Sequence, residues 1–122
     1  MFEIHPAETA DLSLLAQKHK LEDPVLGMIV LEHGVEKGYL LYRLQGDTAH
    51  ILVVQCHDIE LQQWLVRAAL NAAGNRNAYM AVCRNADCFS LLSSLGFAQS
   101  DEGYSICIPE FFNRPCSGGC SQ

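Results

Sequence analysis

A chain of 122 residues has the length of one domain and can bury most of a single core without disulfide or metal staples. With 49% hydrophobic and 18% charged residues the composition is globular, and a formal net charge of −6 with eight scattered Lys and Arg leaves no basic stripe for nucleic acid or an anionic membrane. No wholly apolar run exceeds about six residues, far short of a bilayer span.

The opening Met1-Phe-Glu-Ile-His-Pro6 lacks the charged start and apolar run of a secretory signal, so a cytoplasmic location is the expectation. Phe2 to Ile4 reads as a strand, and Thr9 or Asp11 caps a helix with the stripe Leu12, Leu15, Ala16, His19. Pro24 and Gly27 precede a strand at Met28–Leu31. Gly34 to Gly38 reads as a turn, and Tyr39–Leu44 as the next strand. Gly46-Asp47 is two-residue hairpin chemistry leading into Ala49–Cys56, which is apolar on both faces and therefore a central, covered strand. Asp58 caps a helix with the stripe Leu61, Trp64, Leu65, Ala68, Ala72, closed by Gly74; its spacing assigns Trp64 to the core. Ala78–Cys83 is a short strand, Asn85 caps a third helix through Cys88, Leu91, Leu92 and Leu95, and Gly96 ends it. Phe97–Gln99 and Tyr104–Ile108 form a closing pair, and Pro109 to Gln122 is loop-like.

These elements predict an α/β domain with a mixed sheet of six or seven strands and helices on both faces. A helix crosses between 49–56 and 78–83, so that central pair is expected to be parallel. The order resembles that of the GNAT superfamily of acyltransferases. Phe2 to Leu12 looks like its first strand and helix, and Gly38 to Leu52 like its central hairpin. Leu65 to Ala73 looks like its cofactor-binding helix, and Asn85-Ala-Asp-Cys-Phe-Ser-Leu-Leu-Ser-Ser-Leu-Gly-Phe97 is similar to its Asn…Leu-Gly-Phe motif. The likeness divides the chain into a GNAT-like domain, 1–108, and a Cys-containing tail, 109–122.

The resemblance implies acyl transfer from acetyl-CoA or another acyl-CoA to an amine, with backbone groups from Val54 to Cys56 holding the thioester and Asn85 contacting the cofactor. Asn85 is equally a good N-cap. Two departures stand out. The family's glycine-containing pyrophosphate loop is replaced by His57-Asp-Ile-Glu-Leu-Gln-Gln-Trp64, whose Asp58 and Glu60 suit an unliganded helix start and would repel a pyrophosphate. The family's general-acid Tyr position holds Leu92, leaving Tyr79, Tyr104 or Cys88 as substitutes. The expectation is a degenerate acyl-CoA site with weak or absent N-acetyltransferase activity. The alternatives are a non-catalytic binding or regulatory module, with a small molecule or a protein as partner and a homodimer among the options, and a thiol- or metal-binding protein.

Six cysteines supply that last alternative. In a reducing compartment they are free thiols, metal ligands or redox groups rather than structural disulfides. If the strands end side by side, Cys56, His57, Cys83 and Cys88 converge in one cleft as a candidate zinc or soft-metal set. Cys88, at a helix start, is the candidate nucleophile. In the tail, Cys116 and Cys120 flank Ser-Gly-Gly and can meet one ion or oxidise together. Packing is the competing reading for each thiol of the domain.

Overall fold

The computed structural model describes residues 2–22, 24–101 and 103–113. In chain order they form β1 (Phe2–Pro6), α1 (Thr9–Lys18), β2 (Leu26–Glu32), β3 (Val35–Gln45), β4 (Thr48–Cys56), α2 (Ile59–Asn75) and β5 (Met80–Cys83). A 3₁₀ turn (Ala86–Cys88) then runs into α3 (Phe89–Ser94), followed by β6 (Ala98–Ser100), β7 (Gly103–Cys107) and α4 (Ile108–Asn113). The strands make one sheet in the order β1-β2-β3-β4-β5-β7-β6. The pair β4–β5 is parallel and the other pairs are antiparallel, as the crossover helix α2 demands. The mixed sheet with a parallel centre is the expected fold class.

Alternation along β3 sorts the two faces. Leu40 and Tyr42 point into a core with Met28, Val30, Ile51 and the buried row Leu61, Leu65, Val66, Ala69, Leu70 and Ala73 of α2. Each fully buried Leu of this row contributes about 1.5–3 kcal/mol. Tyr39 takes the other face, where its hydroxyl meets His19 Nε2 at the end of α1 (2.7 Å). Gly27 brings Leu12 of α1 against Leu41 on that same face. Helices therefore cover both faces.

Several local expectations are corrected. The first helix is capped at Glu8, without a side-chain bond, rather than at Thr9 or Asp11. Gly34–Gly38 is not a turn: the reversal is His33-Gly34, both at positive φ (55° and 80°), as a two-residue hairpin of primed type requires. Gly38 lies inside β3, where a Cβ would come 2.5 Å from the Gln55 carbonyl oxygen and 2.6 Å from Cys56 Cβ. It is glycine because β4 approaches too closely for a side chain. Trp64 is 45% exposed and not core; its ring leans on Phe2 (6.0 Å) with the Arg67 guanidinium 5.9 Å away. The helix buries the 61/65/69/73 and 66/70 rows, and Trp64 stands on their flank. Gly74 is helical, and the stop comes at Arg76–Asn77: Ala78 N donates to Ala73 O and Asn77 N to Gly74 O, with Asn77 left-handed at φ 74°. Residues 108–113, expected loop-like, form α4 with Pro109 in its first turn and Phe111 buried in the core.

Candidate functional site

The site expected from the sequence lies where β4 hands over to α2. Asp58 is the N-cap: its Oδ1 accepts from Glu60 N (2.9 Å) and Leu61 N (3.3 Å), and its carbonyl accepts from Gln62 N (2.9 Å). Gln62 also reaches back, donating Nε2 to the Cys56 carbonyl at 2.6 Å. The N–H groups that would otherwise offer an anion-binding helix start are engaged by the chain itself, beside the carboxylates of Asp58 and Glu60. The reach-back by Gln62 was not anticipated, since nothing in the sequence distinguishes it from the neighbouring Gln63.

The register of the central pair separates thiols that the sequence placed together. Cys83 pairs with Ile51, not with Cys56. Cys56 lies five residues farther along β4, about 16 Å at strand rise. It turns toward β3, pairing with Gly38, and its Sγ sits 3.8 Å from the Asp58 carbonyl oxygen. His57 is exposed and lines a shallow cleft of about 170 Å³ with Glu36, Lys37, Tyr39, Gln55 and Cys56. Cys83 and Cys88, by contrast, are in contact. Among the described residues no three His, Cys, Asp or Glu side chains come close enough to share a metal ion, so zinc at Cys56, His57, Cys83 and Cys88 is not supported. Cys116 and Cys120 lie outside the described residues.

Around Cys83 and Cys88 the chain closes the gap that opens beyond the last β4–β5 pair. The β3–β4 ladder slips at Leu52, between the pairs Leu41↔Val53 and Tyr42↔Ile51. The Leu52 carbonyl accepts from Asn85 Nδ2 at 3.0 Å. Asn85 Oδ1 meanwhile accepts from Asp87 N at 3.0 Å, so the residue is the expected N-cap, though of the 3₁₀ turn. Two residues on, the Val54 backbone favours the ionised form of the Cys88 thiol, against larger opposing effects. The β4 edge at 52 is thus occupied from within.

Cys83 and Cys88 are 1% and 2% exposed and hydrogen-bonded to each other. That bond from Cys88, aided by the Asn85 backbone against the effect of burial, holds the Cys83 thiol below its usual range. The same bond, then burial and the neighbouring charge of Cys83, push Cys88 far above it. The two thiols titrate as a coupled pair, and burial disfavours the ionised form of each.

The tyrosine candidates separate in the same way. Tyr104, half-buried on β7, pairs with Cys83 and rests its ring on Phe89 (4.8 Å). Tyr79 precedes β5, at the strand's opposite end, 54% exposed and bonded to Cys107, an interaction that raises its pKa. Leu92 is fully buried in the core.

No family model matches the chain, and no curated protein matches its sequence. Solved structures do match its fold. The ribosomal-protein-S18-alanine N-acetyltransferase of Escherichia coli superposes with a TM-score of 0.65 at 15% identity over 86% of this chain and 89% of that one. An acetyltransferase of the GNAT family from Staphylococcus aureus gives 0.65 at 10% identity over 88% and 99%. N-acetylglutamate synthase from Neisseria gonorrhoeae, complexed with coenzyme A and N-acetyl-glutamate, gives 0.65 at 12% identity over 83% of this chain and 29% of that one. The chain has the GNAT acetyltransferase fold.

Proposed function

We propose that this protein is acyltransferase-related, with an acyl-CoA site so degenerate that acetyl-CoA-dependent N-acetylation is weak or absent. The observation that carries the reading is the Asp58 carboxylate seated on the first-turn N–H groups of α2. A pyrophosphate would have to displace a carboxylate from its own helix and then lie beside Glu60. The engaged Leu52 carbonyl points the same way, because it is a backbone group on the strand edge that a pantetheine arm would need. Titration calorimetry with acetyl-CoA and with CoA tests this directly. The expected result is no heat of binding in the micromolar range, and micromolar affinity would overturn the reading.

A second reading, a binding module on the GNAT scaffold, draws on a different surface. Trp64 and Phe112 are each 45% exposed, and Arg67 lies over both the Trp64 ring and the Phe111 ring (5.4 Å to the latter). Trp, Phe and Arg are the residues over-represented at protein interfaces. A protein partner, a second copy of the chain included, would dock here. Sedimentation of the wild type beside Trp64→Ala/Arg67→Ala tests the homodimer version: a monomeric wild type removes it.

A further inference from the structure

We infer that the exposed face of α2 is a self-complementary contact, on which a second copy of the chain packs antiparallel about a two-fold axis passing between Gln63 and Trp64. The inference rests on the reading of this surface as a docking site and commits it to one occupant.

Helical periodicity builds the face. With Leu61, Leu65, Ala69 and Ala73 turned into the core, Glu60, Trp64, Arg67 and Asn71 form the exposed ridge on the opposite side, at i, i+4, i+7 and i+11. Trp64 supplies its apolar area, 45% of it left in water. That area continues sideways. The Trp64 ring leans on Phe2, Arg67 links it to Phe111, and the Phe111 ring meets exposed Phe112 at 5.0 Å.

Charge selects the occupant. Glu60 and Arg67 are seven residues apart, about 10.5 Å along one side of the helix, with only uncharged residues between them. The Arg67 guanidinium lies over the Trp64 and Phe111 rings, 5.9 and 5.4 Å from their centres. Among the described residues neither it nor the Glu60 carboxylate has an ion-pair partner. Acid, aromatic and base in that order are their own complement when reversed. A two-fold axis between residues 63 and 64 sets Glu60 of each copy against Arg67 of the other and brings the two Trp64 rings together near the axis. Parallel packing is disfavoured by the same residues, because it opposes Glu60 to Glu60 and Arg67 to Arg67. The general repulsion between two copies of net charge −6 is screened beyond about 8 Å at physiological salt, whereas the paired charges act at contact.

Sedimentation and tryptophan fluorescence of the full chain, over a dilution series at about 0.15 M salt, test this. Trp64 is the chain's one tryptophan, so its emission reports this face alone. The expected result is a dimer whose emission shifts to the red as dilution exposes the ring. Glu60→Arg and Arg67→Glu, each alone, oppose like charges at both contacts and are expected to raise the dissociation constant at least about tenfold. Mixed in equal amounts, the two variants again set acid against base at both contacts, and a heterodimer about as tight as the wild-type dimer is expected. Where Arg67→Glu disturbs folding, Glu60→Arg and Glu60→Gln on the exposed side chain keep the test, the reversal weakening the dimer more than the neutral change. A wild type that is monomeric at about 100 μM overturns the inference and leaves the surface to a different protein. A dimer with unchanged Trp64 emission overturns it too. A dimer that Trp64→Ala/Arg67→Ala disrupts but the charge reversals do not overturns the antiparallel pairing, while the docking surface stands.

Discussion

Asn85 reaches 33 residues back along the chain to bond the Leu52 carbonyl at 3.0 Å, at the one place where the β3–β4 ladder slips. A carbonyl at a bulge is freed from its strand partner and needs another donor. The same amide group caps the following turn through Asp87 N. One side chain thus joins the central strand to the start of the 3₁₀–α3 segment.

Replacing Asn85 with Ala removes both bonds and is expected to lower stability by about 1.5–3 kcal/mol, combining a lost cap with an orphaned, half-buried carbonyl. Ser should restore the cap alone and recover part of the loss. Urea unfolding midpoints of the three proteins decide it. Equal stability of Ala and Ser variants would mean that the cap contributes nothing and only the long-range bond matters.

Gly38→Ala should be costly for a reason unrelated to turns. The added methyl meets the Gln55 carbonyl oxygen at 2.5 Å, a backbone atom that cannot rotate away. The expected loss is about 1–3 kcal/mol. Pairing it with Cys56→Ala should not rescue it, because the clash with Gln55 remains. Thermal unfolding of the single and double variants checks both statements.

The elements were legible in the sequence because their signals are local. Alternation marked the strands, Asp58 and Asn85 marked helical starts, and Gly96, at φ 98°, marked the end of α3. What was not legible depends on register. The spacing of cysteines cannot show that Cys83 lies opposite Ile51, five residues short of Cys56 along β4, and a slip at Leu52 has no sequence mark. Trp64 was misplaced because an apolar residue at the edge of a helical stripe fits either side of it. How the turn after β5 folds Cys88 back beside Cys83 depends on tertiary packing, which no residue pattern encodes.

Lys20 ends α1 in the left-handed region at φ 57°, the position where Gly is preferred, with Leu21 N donating to Ala16 O and Lys20 N to Gln17 O. Lys20→Gly should therefore stabilise by about 0.5–1 kcal/mol, the relief of backbone strain exceeding the entropy added to the unfolded chain. Asn77→Gly, at the equivalent position after α2, should gain less because Asn tolerates this conformation. Melting temperatures of the two variants, compared with wild type, provide the check.

Tyr42 lies in the core at 3% exposure, and burial raises its phenol pKa above 10, partly offset by the charge of Arg76. Its neutral form is thus favoured in the folded state. Below the unfolded value of about 10 both states hold the proton, and this contribution to stability is complete. As pH rises from there toward the folded pKa, the unfolded chain releases the proton first and stability falls. The slope is at most about 1.4 kcal/mol per pH unit, lessened by whatever solvent reaches the phenol. Tyr42→Phe keeps the ring and removes the proton, so the difference in unfolding free energy between variant and wild type should be flat up to about pH 10 and shift in the variant's favour above it. Urea unfolding at pH 8, 9, 10 and 11 measures this difference. Parallel curves for the two proteins across that range would show that the Tyr42 phenol titrates as it does in the unfolded chain.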